Sequence, residues 1–256
     1  MAVSCKKENT NLQKDVENTV LQKIKAQGFS TDNVRKVEEG YLVEGDIVLT
    51  EENLNDQSVS PSLLIANSEQ YRTTNLVKAL PRTITVSISG TLSGIAVWSN
   101  ATNALISRYN ALGLQITLTR VASRGDVDIV GFNQGPSGGY ITLGSSGFPT
   151  KRGAPYGQIK MNTNVYAYGS NPDEGYITSV LQHEMGHCIG FRHTDYFNRS
   201  LSCGGAASNE GASNIGAILI EGTPSGFDAE SFMLSCSAGT DRTFNANDKI
   251  ALNYLY

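Results

Sequence analysis

The residues able to do chemistry are concentrated at 183–195, HEMGHCIGFRHTD, which contains all 3 histidines of the 256-residue chain. His183 and His187 stand four apart, so on a helix they share one face a single turn apart and can aim both imidazoles at one metal ion. Gly190 can take the positive φ that ends a helix at low steric cost, letting the chain turn back and deliver His193 as a third ligand. A bare HExxH arises in helices by chance. Three histidines at this spacing with a stop glycine between them point to zinc. Three neutral nitrogens leave one position open, as a catalytic site requires, whereas a closed structural site needs a fourth protein ligand. Cys188 is the nearest candidate for that role, but it follows His187 by one position and points about 100° away around the helix. Glu184, beside the first ligand, is placed to act as general base on a water activated by the metal.

The elements that must hold these residues can be read on either side. Asp173 to Leu181 can start the ligand helix, with Asp173 and Glu174 in the first turn where the macrodipole favours negative charge. Upstream, Ile84 to Ser89 alternates like a strand, and Ser93 to Leu112 carries Ile95, Trp98, Ala101, Leu105, Ile106 and Tyr109 on one helical face. Residues 115–121 and 127–132 read as further strands, and a strand-helix-strand run of this kind normally builds a largely parallel sheet. Residues 140–144 form a short edge-strand candidate, a natural place for an extended substrate to add, and 158–165 another strand.

Composition divides the chain. Residues 1–80 hold 21 of the 44 charged side chains and 3 of the 26 glycines, so two kinds of chain meet near Pro81. The first part reads as an appended segment: a charged helix from Asn11 to Gln27 stopped by Gly28, then a strand-like YLVEGDIVL. Residues 81–256 are the expected catalytic domain. Net charge of -4 offers no basic surface for a phosphate backbone, so nucleic acid is not an expected partner.

The string HExxHxxGxxH resembles the signature of the metzincin metallopeptidases. With SLSCGG downstream and FNANDKIALNYLY at the end, the chain is similar over most of its length to the bacterial dual-action HEIGH metallopeptidases, and more distantly to astacins. The resemblance implies an α+β zincin fold: a twisted mixed sheet, a backing helix, an active-site helix, and a smaller C-terminal subdomain with a Met-turn and terminal helix. It implies a Zn2+-dependent endopeptidase acting on protein or peptide substrates, with His183, His187 and His193 as ligands, Glu184 as general base, Gly190 as the helix stop and Met233 beneath the imidazoles. Astacins carry a metal-proximal Tyr two residues after that Met. Here the position is Ser235, so the tyrosine's role does not carry over. Asp195 is read as structural support, either by hydrogen bonding to a ligand imidazole or by pairing with Arg192 or Arg199.

Val43-Glu44-Gly45-Asp46-Ile47 resembles the FxGD element of astacin propeptides, which implies a latent precursor with Asp46 on the metal. Cys5 is the competing latency ligand, because a thiolate also fills an open zinc position. Ser4-Cys5-Lys6-Lys7 also resembles the start of a bacterial lipoprotein, making Cys5 a candidate lipid anchor and the location extracytoplasmic, secreted or attached to a bacterial outer surface. Of the other cysteines, Cys188 and Cys203 are the expected disulfide, with Cys236 left over. Two rival functions stand beside the peptidase: an inactive zincin-like module for metal binding or adhesion, and a hydrolase of non-peptide amides. Retention of Glu184 argues against the first.

Overall fold

The computed structural model describes residues 16–27, 29–55, 70–137, 139–207, 209, 217–224 and 227–256. Its N-terminal part runs α1 (Asn18–Ala26), β1 (Arg35–Val37), β2 (Gly40–Val43), β3 (Ile47–Leu49) and α2 (Glu51–Leu54). The stretch expected as one strand, YLVEGDIVL, is a hairpin. Glu44 (φ 56°) and Gly45 (φ 97°) both take left-handed conformations, which reverses the chain and pairs Val43 with Ile47. The three strands form an antiparallel sheet in the order β1-β2-β3. With α1 and α2 they enclose their own small core of Val16, Ile24, Phe29, Val34, Val43, Ile47, Leu49 and Leu54, into which Phe148 of the later chain is inserted. The expected start of the first helix, at Asn11, its stop at Gly28, and Cys5 lie outside the described residues.

The larger part continues with β4 (Tyr71–Arg72), β5 (Arg82–Ile88), a 3-10 turn at Gly90–Leu92, α3 (Ala96–Asn110), β6 (Ile116–Arg120) and β7 (Val127–Phe132). Next come β8 (Gly144–Ser145), β9 (Gln158–Asn162), α4 (Val165–Tyr168), α5 (Glu174–Ile189), β10 (Phe191–Arg192), α6 (Ser200–Cys203), β11 (Ile218–Leu219) and α7 (Ala246–Leu255). A five-stranded sheet in the order β6-β5-β7-β9-β8 is parallel throughout except for β8, which pairs antiparallel to β9 at the edge. This is the expected α+β architecture with a mixed sheet. Period-two apolar residues supply one face (Ile84, Val86, Val127, Ile129, Ile159), and Trp98, Ala101, Leu105 and Tyr109 of α3 join them in one core with Leu181, Met185 and Ile189 of α5.

Local chemistry sets the ends of these elements. The backing helix starts at Ala96 because Ile95 is extended (φ -90°, ψ 117°), and Ile95 is exposed, not part of the buried face. The edge strand shrinks from the expected 140–144 to two residues. Among the described residues, no helix is long and apolar enough to cross a membrane.

The expected Cys188–Cys203 bridge is not formed: Cys203 pairs with Cys236 across a Cα–Cα distance of 5.1 Å. Cys188 points into the core from α5 with its thiol fully buried, whereas Cys203 ends α6 on the surface. There the Cys236 amide donates to Ser202 Oγ at 3.0 Å, bringing the two cysteines alongside each other.

A buried carboxylate ties the parts of the C-terminal region together. Asp248, in the first turn of α7, accepts hydrogen bonds from Gln70 Nε2 (2.6 Å), Ser231 Oγ (3.1 Å), Phe232 N (3.2 Å) and Asn245 N (3.0 Å). Burial pushes its pKa up to about 6 against the pull of those donors. Removing it strands four donors, so Asp248→Ala should destabilise the chain by about 2–4 kcal/mol. Because the folded pKa is raised above the unfolded value of about 3.9, the native state binds more protons between the two, and the group's contribution declines as pH rises through about 6. Urea unfolding should therefore show a wild-type-minus-variant gap that is wider at pH 5 than at pH 7. A gap that narrows on acidification would contradict this account.

Candidate metal centre

The site is built on α5. Asp173 caps its start, its side chain accepting from Tyr176 N, and Gly190 (φ 114°, ψ 9°) ends it. A Cβ at Gly190 would lie 2.8 Å from Leu76 Cδ2 and 2.9 Å from Asn75 O, so glycine meets both the dihedral and the space. The turn it permits starts β10 and brings His193 back beneath the helix. One ligand atom each from His183, His187, His193 and Asp46 lies within 4.8 Å of the others.

Backbone carbonyls fix the imidazoles. His183 Nδ1 lies 2.9 Å from Phe232 O and His187 Nδ1 lies 2.9 Å from Phe191 O. A carbonyl only accepts, so each Nδ1 carries the proton and donates, which leaves each neutral Nε2 as a bare lone pair. His187 is kept neutral: burial pushes its pKa well below the usual value, and the neighbouring charges of His183 and His193 lower it further. His187 Nε2 and His193 Nε2 nonetheless approach to 3.2 Å, and His183 Nε2 is buried with no hydrogen-bond partner among the described residues. Asp46 Oδ2 completes the set, 3.2 Å from His193 Nε2 and 3.6 Å from His183 Nε2. Burial alone would raise the Asp46 pKa, but His193, His183 and His187 hold it well below the carboxylate range. Lone pairs and an anion converging on one point, with the other ring nitrogens of His183 and His187 already bonded, are the donor set of a cation, and imidazole nitrogen with carboxylate oxygen suits zinc.

Glu184 is fully buried beside this point. Ser146 Oγ donates to Glu184 Oε2 at 2.7 Å and lies 2.9 Å from Glu184 O. Burial raises the Glu184 pKa well above the usual range, the charge of Asp46 adds to this, and the Ser146 hydrogen bond opposes it. Gly144 gives the carboxylate room, since a Cβ there would sit 2.8 Å from Glu184 Oε1. Gly186 does the same for Met233, whose Sδ would be 2.5 Å from a Cβ at that position. Met233 is fully buried against the ligand helix, and its carbonyl accepts from Thr194 N at 2.9 Å. Ser146, Gly144 and Gly186 carry no sequence signal for these roles.

The Asp195 carboxylate accepts from Ser202 Oγ (2.5 Å), Ser235 N (2.9 Å) and Ser235 Oγ (2.8 Å). Asp195 is thus tied to two serines, Ser202 and Ser235, and through them to the disulfide-bonded turn. Ser235 fills the position of the astacin tyrosine and is occupied by this contact.

A cleft of about 780 Å³ opens over the centre, lined by Asp46, His183, Glu184, Tyr140, Tyr176 and Arg199 among others. The edge expected to receive a substrate is occupied by the N-terminal hairpin. Ser146 N donates to Asp46 O (2.9 Å), Val48 N donates to Ser146 O (2.6 Å), and Thr142 Oγ1 donates to Gly45 O (3.0 Å).

The family model described as a dual-action HEIGH metallo-peptidase matches residues 41–256. A search of curated proteins returned no match to the chain. Among solved structures the chain is similar to myroilysin, with TM-score 0.45 and 16% identity over 71% of this chain and 95% of that one. It is also similar to high choriolytic enzyme 1, a hatching enzyme zinc-protease from the medaka fish Oryzias latipes, with TM-score 0.40 and 18% identity over 68% and 88% of the two chains.

The converging donors predict a single tight zinc site in the full chain, measurable by metal analysis after dialysis. Removing a nitrogen from the set with His193→Ala should weaken zinc binding in competition titrations. Unchanged affinity in that variant would remove His193 from the site.

Proposed function

The chain belongs to the dual-action HEIGH metallopeptidases, and from that premise we propose that it is a secreted or surface-anchored zinc endopeptidase held latent by its own N-terminal segment. The observation that carries this reading is the meeting of three imidazole nitrogens with the Asp46 carboxylate, beside a Glu184 carboxylate held by Ser146. His183, His187 and His193 would hold the zinc, which when bound supplies Lewis acidity toward a peptide carbonyl and lowers the pKa of an attacking water to about 7.

The residues do the rest. Glu184 Oε2 is engaged by Ser146, so Oε1 is the atom free to take a proton from the attacking water, and the same carboxyl returns it to the leaving amine. Met233 serves as the Met-turn residue, supporting the ligand helix through its contact with Gly186. Residues 142–146 align the substrate backbone along the sheet edge, the position now held by the hairpin.

Latency follows from occupancy. Asp46 fills the position that water needs, and the hairpin blocks the substrate edge. Because the ligand is tethered, it competes at high effective concentration without needing high intrinsic affinity. Between the two candidates Asp46 is favoured over Cys5, since it lies at the centre. Release requires a cut between the N-terminal core, which ends with Leu54, and Gln70, whose amide is bonded to Asp248. Residues 56–69 are therefore the segment to cut, close to the division expected near Pro81. Export past the cytoplasmic membrane is supported by the Cys203–Cys236 disulfide, which persists in oxidising surroundings.

Glu184→Gln should retain zinc and lose about 10²- to 10⁴-fold in peptide hydrolysis after activation. Gly144→Ala, which displaces the same carboxylate, should cost about 10²-fold with zinc content unchanged. Full activity in Glu184→Gln would sink the mechanism. For latency, the untouched chain should not digest a casein substrate until it is cut by limited proteolysis, and Asp46→Ala should be active uncut. If Asp46→Ala stays latent while Cys5→Ser is active, the thiolate is the switch. An untouched chain that is already fully active would end the latency reading.

A further inference from the structure

The two parts of the chain bring opposite charge to the cleft over the metal centre. From the N-terminal segment, Asp32, Glu44 and Asp46 line it against the single cation Arg35. The larger part contributes Arg199, Arg242 and Glu184, and the Glu184 carboxylate is buried against Ser146. The accessible charge on the catalytic side is therefore positive, and the segment that now fills the cleft is mainly acidic.

The two arginines are not equivalent. Arg199 Nη1 donates to the Glu44 carbonyl at 2.5 Å, so it is engaged by the main chain of the hairpin. Arg242 is half-buried and is fixed by its backbone. Its amide donates to Ser179 Oγ at 2.9 Å, and its carbonyl accepts from Ser179 Oγ at 3.1 Å and from Gln182 Nε2 at 3.3 Å. Ser179 precedes His183 by four residues on α5, so the root of Arg242 is held one helical turn, about 5.4 Å, from the first metal ligand. The adjacent acid is not its partner: Asp241 is taken by Arg108, whose Nη2 donates to the two carboxylate oxygens at 2.8 and 2.7 Å. Among the described residues the Arg242 guanidinium has no hydrogen-bond or ion-pair partner. A planar fork of donors, fixed at its root and uncommitted at its tip, suits a carboxylate.

We propose that Arg242 is a specificity residue of the peptidase, pairing with an acidic side chain of the substrate within two residues of the bond to be cut. The distance follows from geometry, since one helical turn spans between one and two residues of an extended peptide. The inference rests on the latent-peptidase reading above and adds a substrate class to it: peptides with Glu or Asp close to the scissile bond.

The test uses the full chain activated by limited proteolysis. Matched peptides carry Glu, Gln or Lys at each of the two positions on either side of one cleavable bond, and the readout is the ratio of kcat/KM values, which is independent of the fraction of active enzyme. Wild type should prefer Glu over Gln at one of these positions by about fivefold, and the preference should shrink as salt is raised. Arg242→Gln should bring that ratio near unity, Arg242→Lys should restore part of it, and Arg242→Glu should shift the preference to Lys. The anchoring bonds of Arg242 are made by its backbone, so all three variants keep them, and a merely structural role would give neither the rescue nor the reversal. The same ratios are read in parallel as peptide affinity by fluorescence anisotropy on the Glu184→Gln chain after the same cut, where turnover is not needed. A Glu-to-Gln ratio near unity at every position in wild type overturns the proposal, and so does a preference that survives Arg242→Gln. Casein digestion before and after the cut reports separately on latency, so an active uncut chain counts against that reading and not against Arg242.

Discussion

The imidazoles of His183 and His187, whose outer nitrogens are committed to backbone carbonyls, turn their remaining lone pairs toward one point where His193 Nε2 also arrives, and a cation reconciles them. Much of the surrounding fold serves to hold this arrangement. The Phe232 carbonyl comes from the segment that also carries Met233, and the Phe191 carbonyl from the turn that Gly190 allows. That segment is in turn fixed by two buried carboxylates: Asp248 takes Ser231 and the Phe232 amide, and Asp195 takes Ser235. The disulfide from Cys203 to Cys236 closes the same turn from outside. Imidazole orientation is thus set by elements distant in sequence, which is how a soft loop region can hold ligands with the precision that metal binding demands.

The N-terminal segment is more than a tethered ligand. It has its own sheet and core, and Phe148 joins that core while packing edge-on to His187 at 5.7 Å. The Glu39–Lys160 ion pair (2.6 Å) and the Arg35–Thr142 hydrogen bond (2.9 Å) add polar contacts at the rim. The rim pair is partly exposed and contributes little. The apolar contact through Phe148 and the backbone pairing at Ser146 join the segment to the rest of the chain, and Phe148 completes the segment's core.

What the sequence made legible is what local spacing can encode. The helix from Ala96 and the strands at 82–88 and 127–132 are periodic enough to read, and the four-residue spacing of His183 and His187 needs only one helical turn to become a pair of ligands. The hairpin was hidden because alternating apolar residues flank a turn whose glutamate sits at positive φ, where glycine or asparagine is the usual sign. The disulfide is not legible, because nearness in sequence does not report which way a side chain points: Cys188 is buried in the core, whereas Cys203 lies at the partly exposed end of its short helix. Ser146, Gly144 and Gly186 act through partners far away in the chain, as Asp248 does beyond its helix-capping contact with Asn245, and single residues at such separations leave no pattern.

The same separation explains why one short turn can govern the whole site. Glu44 and Asp46 lie two residues apart, yet they meet Arg192 and His193, adjacent residues about 150 positions further on. The register between these pairs is fixed by the backbone bonds of Asp46 and Val48 to Ser146, and Ser146 is also the residue that holds Glu184. The partners that set this register, Ser146 and Thr142, belong to the larger part of the chain, and the hairpin is fitted to them. Placement of the hairpin and placement of the Glu184 carboxylate then share one contact point at Ser146, so a shift there would disturb both together.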